Sequence, residues 1–328
     1  MPQTNSGLPG VRSFLGTPGN KRVVTARPEI VLPFLAGISA EDDTKPLWVI
    51  LPTAEDARNL TQTLKDAHHR PGPVSTKAPS ICWLPPLFAR CYDAFGTDLE
   101  VMWHHMATVF RLETKDRPRV IITSPDALSS NTIGKDYMRH FSQVAITGEK
   151  LKREGFIQRL TSAGYVREDI VVEPGQIAVR GGIIDVFPPH LPYPVRIDFF
   201  GDEIDRISSF YPESQRSLGR IDLVELPPVS AFLCPADQIR AMEESIRSLA
   251  ETCAVPSIRL ATILDDLRSG FIPPGALAYL PAVSQSLRPL HTLISTDSRV
   301  LFPGLDGLET AFDTFTEYMY SGAKDAIK

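Results

Sequence analysis

An alternation of apolar and polar residues runs through residues 176–218 and predicts a small antiparallel sheet. Side chains of a strand alternate between its two faces, so within residues 195–200 Arg196, Asp198 and Phe200 share the polar face. Phe200 is therefore an aromatic residue among charged neighbours. Such a composition is typical of an interface anchor, because Phe supplies apolar area and Arg supplies a planar fork of donors. A helix or a neighbouring domain could equally cover this face, and Phe200 would then belong to a core.

Glycine and proline divide the same stretch into strands and turns. Residues 176–180 alternate in the same way and lead into Gly181 and Gly182, where the missing side chains allow a bulge or a close backbone approach beside Arg180. Residues 188–194 contain four prolines and cannot occupy central positions of a ladder, since proline has no N–H donor. The pattern therefore predicts an antiparallel meander.

One helix precedes the meander, and a different architecture surrounds both. Residues 149–163 carry an apolar stripe at helical spacing that stops at Gly164, a natural C-terminal cap. Before them, three short apolar runs alternate with amphipathic helices that begin after Thr53 and Thr97, which predicts an α/β unit with buried parallel strands. The predicted strands are residues 48–51, 81–84 and 119–123. Beyond the meander, the pattern predicts helices at 237–250 and 308–319 and strands at 276–280 and 291–295.

Three sequence words in this stretch are specific. AVRGGIIDVFP, PVRIDFFGDEID and ESQRSL resemble the signature of the N-terminal UvrB-homology module of bacterial transcription-repair coupling factors (Mfd), and they are similar, more loosely, to UvrB. The upstream stretch YDAFGTDLEVMWHHMATVFRL and the region down to Tyr320 also fit this family. The resemblance implies a fold class of α/β: a degenerate helicase-lobe-like composite domain formed by residues 1–142 and 228–328, with a small α+β domain inserted at 143–227.

Bulk properties limit the kinds of function. The net charge is −5 and the pI is near 5.8, which argues against a chain whose main task is to neutralise nucleic-acid phosphates. The four cysteines are too widely spaced for a CxxC pair or a disulfide scaffold, and no apolar run approaches the ~20 residues that span a bilayer. We therefore expect a cytoplasmic protein with reduced thiols.

Three sequence features resemble parts of phosphate-binding or metal sites but lack the spacing or geometry that such sites require. The segment 16–22, GTPGNKR, has two residues between its glycines instead of the four of a phosphate loop, and an arginine follows its lysine. Asp202 and Glu203 could pass for an acidic box that holds magnesium, but their place after Phe200-Gly201 favours a solvated hairpin turn. His104 and His105 are adjacent on a helix and point to different faces, so they cannot chelate together. We therefore expect neither catalysis nor a bound cofactor or metal in this chain.

The resemblance also implies a partner and a site. In the coupling factors, this module mimics the part of UvrB that docks on UvrA, and the family's contact residues fall on Arg180, Arg196 and Phe200. Both arginines would pair with carboxylates of UvrA, while Phe200 fills an apolar recess. The alternative for each arginine is an intramolecular ion pair, with Asp198, Asp202 or Glu203 as the partner.

A longer parent protein is implied as well. Its other domains would bind RNA polymerase and double-stranded DNA and would use ATP and magnesium as a translocase. Two rival functions follow for this chain: a part of a UvrB-type helicase whose motor lies elsewhere, or an autoinhibitory element whose face is covered by the parent's C-terminal region.

Overall fold

The computed structural model describes residues 46–68, 80–87, 98–231, 233, 239–252, 255–268, 287–295, 298–303, 310–311, 313–314 and 316–317. The helices in these ranges are α1 (Ala54–His68), α2 (Leu99–Glu113), α3 (Pro125–Leu128), α4 (Lys135–Phe141), α5 (Arg153–Ser162), α6 (Ile239–Thr252) and α7 (Ser257–Arg268). The strands are β1 (Leu47–Ile50), β2 (Ile81–Trp83), β3 (Val120–Thr123), β4 (Asn131–Ile133), β5 (Gln143–Ile146), β6 (Val166–Arg167), β7 (Gln176–Arg180), β8 (Ile183–Val186), β9 (Val195–Phe200), β10 (Glu203–Phe210), β11 (Ser217–Ile221), β12 (Leu223–Leu226), β13 (Leu287–Pro289) and β14 (Arg299–Leu301).

The three predicted apolar strands, β1, β2 and β3, form a parallel sheet. β14 is its fourth strand, and the order is β14-β1-β3-β2. Alternate residues of β1 face different helices. Leu47 and Val49 belong to the apolar cluster that includes Leu64 of α1, whereas Trp48 belongs to the cluster that includes Met106 of α2. Helices on both faces explain why these strands are continuous apolar runs instead of alternating ones.

Distant parts of the chain share this first sheet. β14 pairs in parallel with β1, with Trp48 opposite Val300, and β13 pairs with β4 through Ile133 and Leu287. The segment that follows the meander therefore returns to complete the sheet that precedes it. The protein is a mixed α/β structure with several sheets.

The second sheet is the predicted meander. Its order is β11-β10-β9-β8-β7-β6, antiparallel from β7 to β11, with the short β6 parallel to β7. One face is apolar and packs on α5, where Phe156 and Leu160 join Ile184 and Ile197 in one core. α5 ends as predicted: Gly164 has φ +90°, a conformation that favours glycine.

The second sheet and α5, together called the inserted unit, contact α2 directly. β5 leads into the unit and pairs antiparallel with β12, which leads out of it. The Tyr165 hydroxyl donates a hydrogen bond to the Pro227 carbonyl at 2.9 Å, which joins the end of α5 to the segment after β12. Gly175 lies against the indole of Trp103 on α2, where an added Cβ would come within 2.9 Å of Nε1. This last contact places the unit against α2.

Some predicted elements differ from the structure. Residues 291–295 were expected to form a strand, which is wrong, because Leu290–Leu293 is a 3₁₀ helix. The Thr292 hydroxyl donates to the Pro289 carbonyl at 2.6 Å, a local bond that competes with extended pairing. The capping residue of α2 is Asp98, and α7 was not predicted.

Some sequence-based predictions cannot be compared with the structure. The phosphate-loop-like segment 16–22 and the predicted strand 276–280 lie outside the described residues, and the helix predicted at 308–319 is described only in part. In the ranges that are described, no helix combines the length and apolarity needed to cross a membrane.

The buried His105 links α2 to β4 and to the segment that follows β2. The ring of His105 is fully buried, with Nδ1 2.8 Å from the Pro85 carbonyl and Nε2 2.7 Å from the Thr132 hydroxyl. A carbonyl only accepts, so Nδ1 carries the proton and Nε2 accepts from Thr132. Burial lowers the pKa of His105 to about 4, although the bond to Pro85 opposes this shift.

This arrangement predicts a pH-dependent stability. The pKa of His105 is lower in the folded than in the unfolded chain, where it is near 6.5, so its contribution is fully present above pH 6.5 and is lost as the pH falls toward 4. Urea unfolding from pH 7 to 4.5 should show that His105→Gln removes up to ~1.4 kcal/mol per pH unit from the slope. A slope that is the same in His105→Gln and in the unaltered chain would contradict this assignment.

Candidate partner-binding site

The face of the second sheet opposite α5, here called the outer face, carries all three predicted site residues. Directly opposed residues of antiparallel strands lie on the same face, so the register assigns each side chain. One row across the strands is Ala178, Asp185, Arg196 and Ser208, and the next is Arg180, Ile183, Asp198 and Arg206. Phe200 and Glu203 are opposed at the tip of the hairpin formed by β9 and β10.

Phe200 projects into solvent. Its exposed fraction is 84%, compared with 7% or less for the buried aromatics of the cores. It immediately precedes Gly201, whose φ of +64° forms the tight turn into β10. Phe200 is therefore not a core residue, and its role as an interface anchor stays a prediction.

Several contacts within its own domain restrain the Arg196 side chain. Its Nε and Nη2 donate to the two carboxylate oxygens of Asp185 at 2.7 and 2.8 Å, and Nη2 also donates to Gln215 Oε1 at 3.0 Å. The guanidinium lies 4.6 Å from the ring centroid of Phe210, within cation–π range. Only 22% of the side chain is exposed, and the hydrogen bond that Arg196 donates to Asp185 raises the pKa of Arg196 above its usual value.

Arg180 is the more accessible arginine. Its Nη2 also donates to Asp185, at Oδ2, but 47% of its side chain is exposed. Both arginines therefore have an intramolecular partner, and that partner is none of the three carboxylates considered from the sequence. Asp198 instead accepts from Arg206 at 2.8 Å.

Asp185 is the site residue that the sequence interpretation missed. Its exposed fraction is 1%, although it is charged. The signal was present in the sequence, because Asp185 is the single carboxylate within the apolar run 183–187, and a buried charge requires a partner. The partner's identity could not be found without the register of β7, β8 and β9.

Two glycines bring the hairpin tips together. Gly182 approaches β9 so closely that an added Cβ would lie 2.8 Å from the Phe199 carbonyl oxygen, and its own carbonyl accepts from the Phe199 N–H at 2.8 Å. Gly181 has φ +57° and forms the turn after Arg180. Arg180 is the last residue of β7 and Phe200 is the last residue of β9, and these two strands run in the same direction. Both side chains therefore lie next to the hairpin turns at that end of the sheet.

Asp202 lies in a turn, as predicted for the acidic pair, whereas Glu203 is already part of a strand. Asp202 is exposed in the turn between β9 and β10, and its carbonyl accepts from the Leu151 N–H at 2.6 Å. Glu203 begins β10 opposite Phe200, and its backbone forms an isolated antiparallel β-bridge with Lys150. Within the described part of the chain, no group of His, Cys, Asp and Glu side chains is placed to hold a metal ion.

The Arg196 contacts predict a structural role that can be measured. Arg196→Ala leaves the buried Asp185 with one of its two arginines, and we expect the free energy of unfolding to fall by about 2–3 kcal/mol. Arg206→Ala breaks an exposed pair and should cost less than about 1 kcal/mol. Urea unfolding followed by circular dichroism compares the two variants, and equal losses would show that the Asp185 pair contributes nothing particular.

The close approach at Gly182 predicts a second stability difference. Gly182→Ala places a Cβ against backbone that cannot move without opening the ladder, so we expect a loss of about 2 kcal/mol or more. Gly219 of β11 has open space around it, and Gly219→Ala should be neutral or slightly stabilising. Thermal unfolding of both variants tests this pair; a neutral Gly182→Ala would mean that β8 and β9 tolerate separation.

Comparison with known proteins identifies the inserted unit. Residues 145–232 match the family model of the UvrB interaction domain. A transcription-repair-coupling factor of Myxococcus xanthus is 28% identical over 247 residues, which is 75% of this chain and 19% of that protein. The corresponding protein of Escherichia coli K12 is 28% identical over 225 residues, 68% of this chain and 19% of that protein.

A UvrB relative gives a shorter match at higher identity. UvrABC system protein B of Chlorobium limicola is 42% identical over 100 residues, which is 30% of this chain and 14% of that protein. The chain spans about a fifth of the length of the coupling factors that it matches. These findings confirm the resemblance predicted from the sequence: residues 145–232 are similar to the UvrB interaction domain, and the chain is similar over most of its length to transcription-repair coupling factors.

Proposed function

We propose that this chain recruits the nucleotide-excision repair protein UvrA by presenting a UvrB-like binding surface, in the cytoplasm, at lesions where RNA polymerase has stalled. The observation that carries the proposal is the exposed Phe200 beside Arg180, on the outer face of a UvrB interaction domain. Hot spots of protein interfaces are enriched in aromatic residues and arginine.

The chemistry of the outer face suits an acidic partner with an apolar recess. Phe200 offers a large apolar side chain that is 84% exposed, so its burial in a recess removes apolar area from water. Arg180 uses one nitrogen for Asp185 and keeps its other donors for a partner carboxylate. Arg196 contributes from a fixed position with the lesser exposure of the two arginines.

Nucleotide hydrolysis is not part of the proposed role. In motor proteins, a glycine-rich loop after the first strand cradles the phosphates. Here residues 51–53, Leu-Pro-Thr, connect β1 directly to α1, and the Thr53 hydroxyl accepts from the Asp56 N–H at 3.0 Å. Glu55 and Asp56 occupy the first turn of α1, where their charges oppose a phosphate.

The parallel sheet of β14, β1, β3 and β2, with helices on both faces, supports kinship with a helicase lobe that has lost its chemistry. The ATP and magnesium of a translocase, and contacts with RNA polymerase and double-stranded DNA, would belong to other domains of a longer protein. Coverage of only 19% of the coupling factors is consistent with such a parent.

The masking alternative concerns the same face. If the parent's C-terminal region covers Phe200 until recruitment, then this chain should bind UvrA more tightly than the full-length parent does. Equal affinities of the fragment and the parent would exclude masking and leave the recruiting role intact.

Calorimetric titration with UvrA tests the proposal. We expect Phe200→Ala and Arg180→Ala each to weaken binding by about tenfold or more, since both remove exposed anchors and leave the core unchanged. Arg196→Ala should also weaken binding, and it is measured at a temperature where circular dichroism shows it folded.

Two matched controls accompany these variants. Ile258 on α7 has an exposed fraction of 82%, close to the 84% of Phe200, and Arg139 on α4 is an exposed arginine with a nearby carboxylate. Ile258→Ala and Arg139→Ala should bind UvrA as the unaltered chain does. If the site variants also bind unchanged, then the outer face is not the UvrA site.

A further inference from the structure

One buried carboxylate joins the two arginines of the outer face. Asp185 lies in β8, between Arg180 on β7 and Arg196 on β9, and its exposed fraction is 1%. Its Oδ1 accepts from Arg196, and its Oδ2 accepts from both Arg196 and Arg180. Because the carboxylate is buried, it cannot itself reach a partner protein; it acts on its surroundings only through the two arginines.

A second residue completes the restraint on Arg196. Gln215 has φ +58°, which is uncommon for a residue with a side chain, and its Oε1 accepts from Arg196 Nη2 at 3.0 Å. Its Nε2 donates to the Pro212 carbonyl at 2.8 Å, so the amide is held from its other end. With Phe210 against the guanidinium, Arg196 has one orientation before any partner arrives.

Restraint of this kind changes the free energy of binding without adding a contact. A flexible arginine loses rotamer freedom when it pairs with a partner, and an arginine that is already held loses less. The exposed Arg180 has the most freedom to lose, and its hydrogen bond to Asp185 restrains it on the outer face.

We propose that Asp185 is the positioning residue of the UvrA-binding face: it holds Arg180 and Arg196 in the orientation that the partner recognises, with Gln215 as an auxiliary restraint on Arg196. This inference rests on the proposed function. It assigns recognition to a buried acidic residue that never touches the partner.

The substitution Asp185→Asn separates positioning from simple charge. It makes the outer face more positive by one charge, which by itself would strengthen binding to an acidic partner. It also replaces one of the two carboxylate oxygens with an N–H₂ donor and leaves a single neutral acceptor for the bonds from Arg180 and Arg196, so the restraint on the arginines is weakened. The two effects have opposite signs, and only positioning predicts weaker binding.

The matched control is Asp198→Asn. Asp198 lies on the same face and gives the same change of charge, but its carboxylate pairs with Arg206 and acts on Arg196 through its charge alone. In calorimetric titrations with UvrA, we expect Asp185→Asn to weaken binding about tenfold, and Asp198→Asn to bind within about twofold of the unaltered chain or slightly more tightly.

The double variant Arg180→Ala with Asp185→Asn gives a further check. If Asp185 acts through Arg180, then the loss in the double variant is smaller than the product of the two separate fold-changes. Fully multiplicative losses would mean that Asp185 acts independently of Arg180 and would overturn its assigned role there.

Folding and orientation are measured without the partner. Nitrogen-15 spectra of the arginine side chains should show the Arg196 Nε–H protected from water exchange in the unaltered chain and in Asp198→Asn, but not in Asp185→Asn. Should Asp185→Asn fail to fold, Gln215→Ala takes its place, since it removes only the auxiliary restraint; we then expect a two- to threefold loss of affinity, by rough analogy with a single weakened hydrogen bond.

The outcomes distinguish this inference from the function on which it rests. If the unaltered chain does not bind UvrA, then the proposed function fails and this role of Asp185 fails with it. If the unaltered chain binds, and Phe200→Ala weakens binding while the folded Asp185→Asn binds as Asp198→Asn does, then the recruiting role stands and positioning by Asp185 is wrong.

Discussion

The antiparallel pairing of β5 with β12 brings the entry and the exit of the inserted unit side by side. Because the chain leaves the unit where it entered, the following segment can return to the first sheet, and β14 pairs with β1. The packing of Trp103 of α2 on Gly175 then places the unit against α2. On the side of the second sheet away from α5, Phe200 and Arg180 remain exposed.

The electrostatics of that face depend on one carboxylate. A charge that is removed from water must be paired, and Asp185 is paired with two arginines whose guanidinium groups reach the surface to different extents. The buried anion therefore determines where two cations stand. Phe200, by contrast, is placed by backbone alone, because the turn at Gly201 fixes the end of β9 and leaves the ring in solvent.

The first sheet has a widely used architecture. Its parallel strands, with α1 on one face and α2 on the other, form the kind of scaffold on which many nucleotide-binding sites are built. The phosphate-binding loop of such sites is rich in glycine, whereas residues 51–53 are Leu-Pro-Thr. In this chain the scaffold carries the inserted unit between β5 and β12.

Much of this protein follows from its sequence alone. The alternation in residues 176–218, the cap at Gly164, the hairpin turn at Gly201-Asp202 and the buried apolar strands are local consequences of side-chain periodicity and backbone freedom, and each was found where it was predicted. Tertiary structure decided the rest. The partner of Arg180 and Arg196 depends on the register of three strands, the exposure of Phe200 depends on whether anything covers the outer face, and the place of β14 depends on contacts between residues about 250 positions apart. Spacing along the chain does not specify these three features. Each depends on which distant segments pair or pack together, and the local sequence does not favour one such pairing over another.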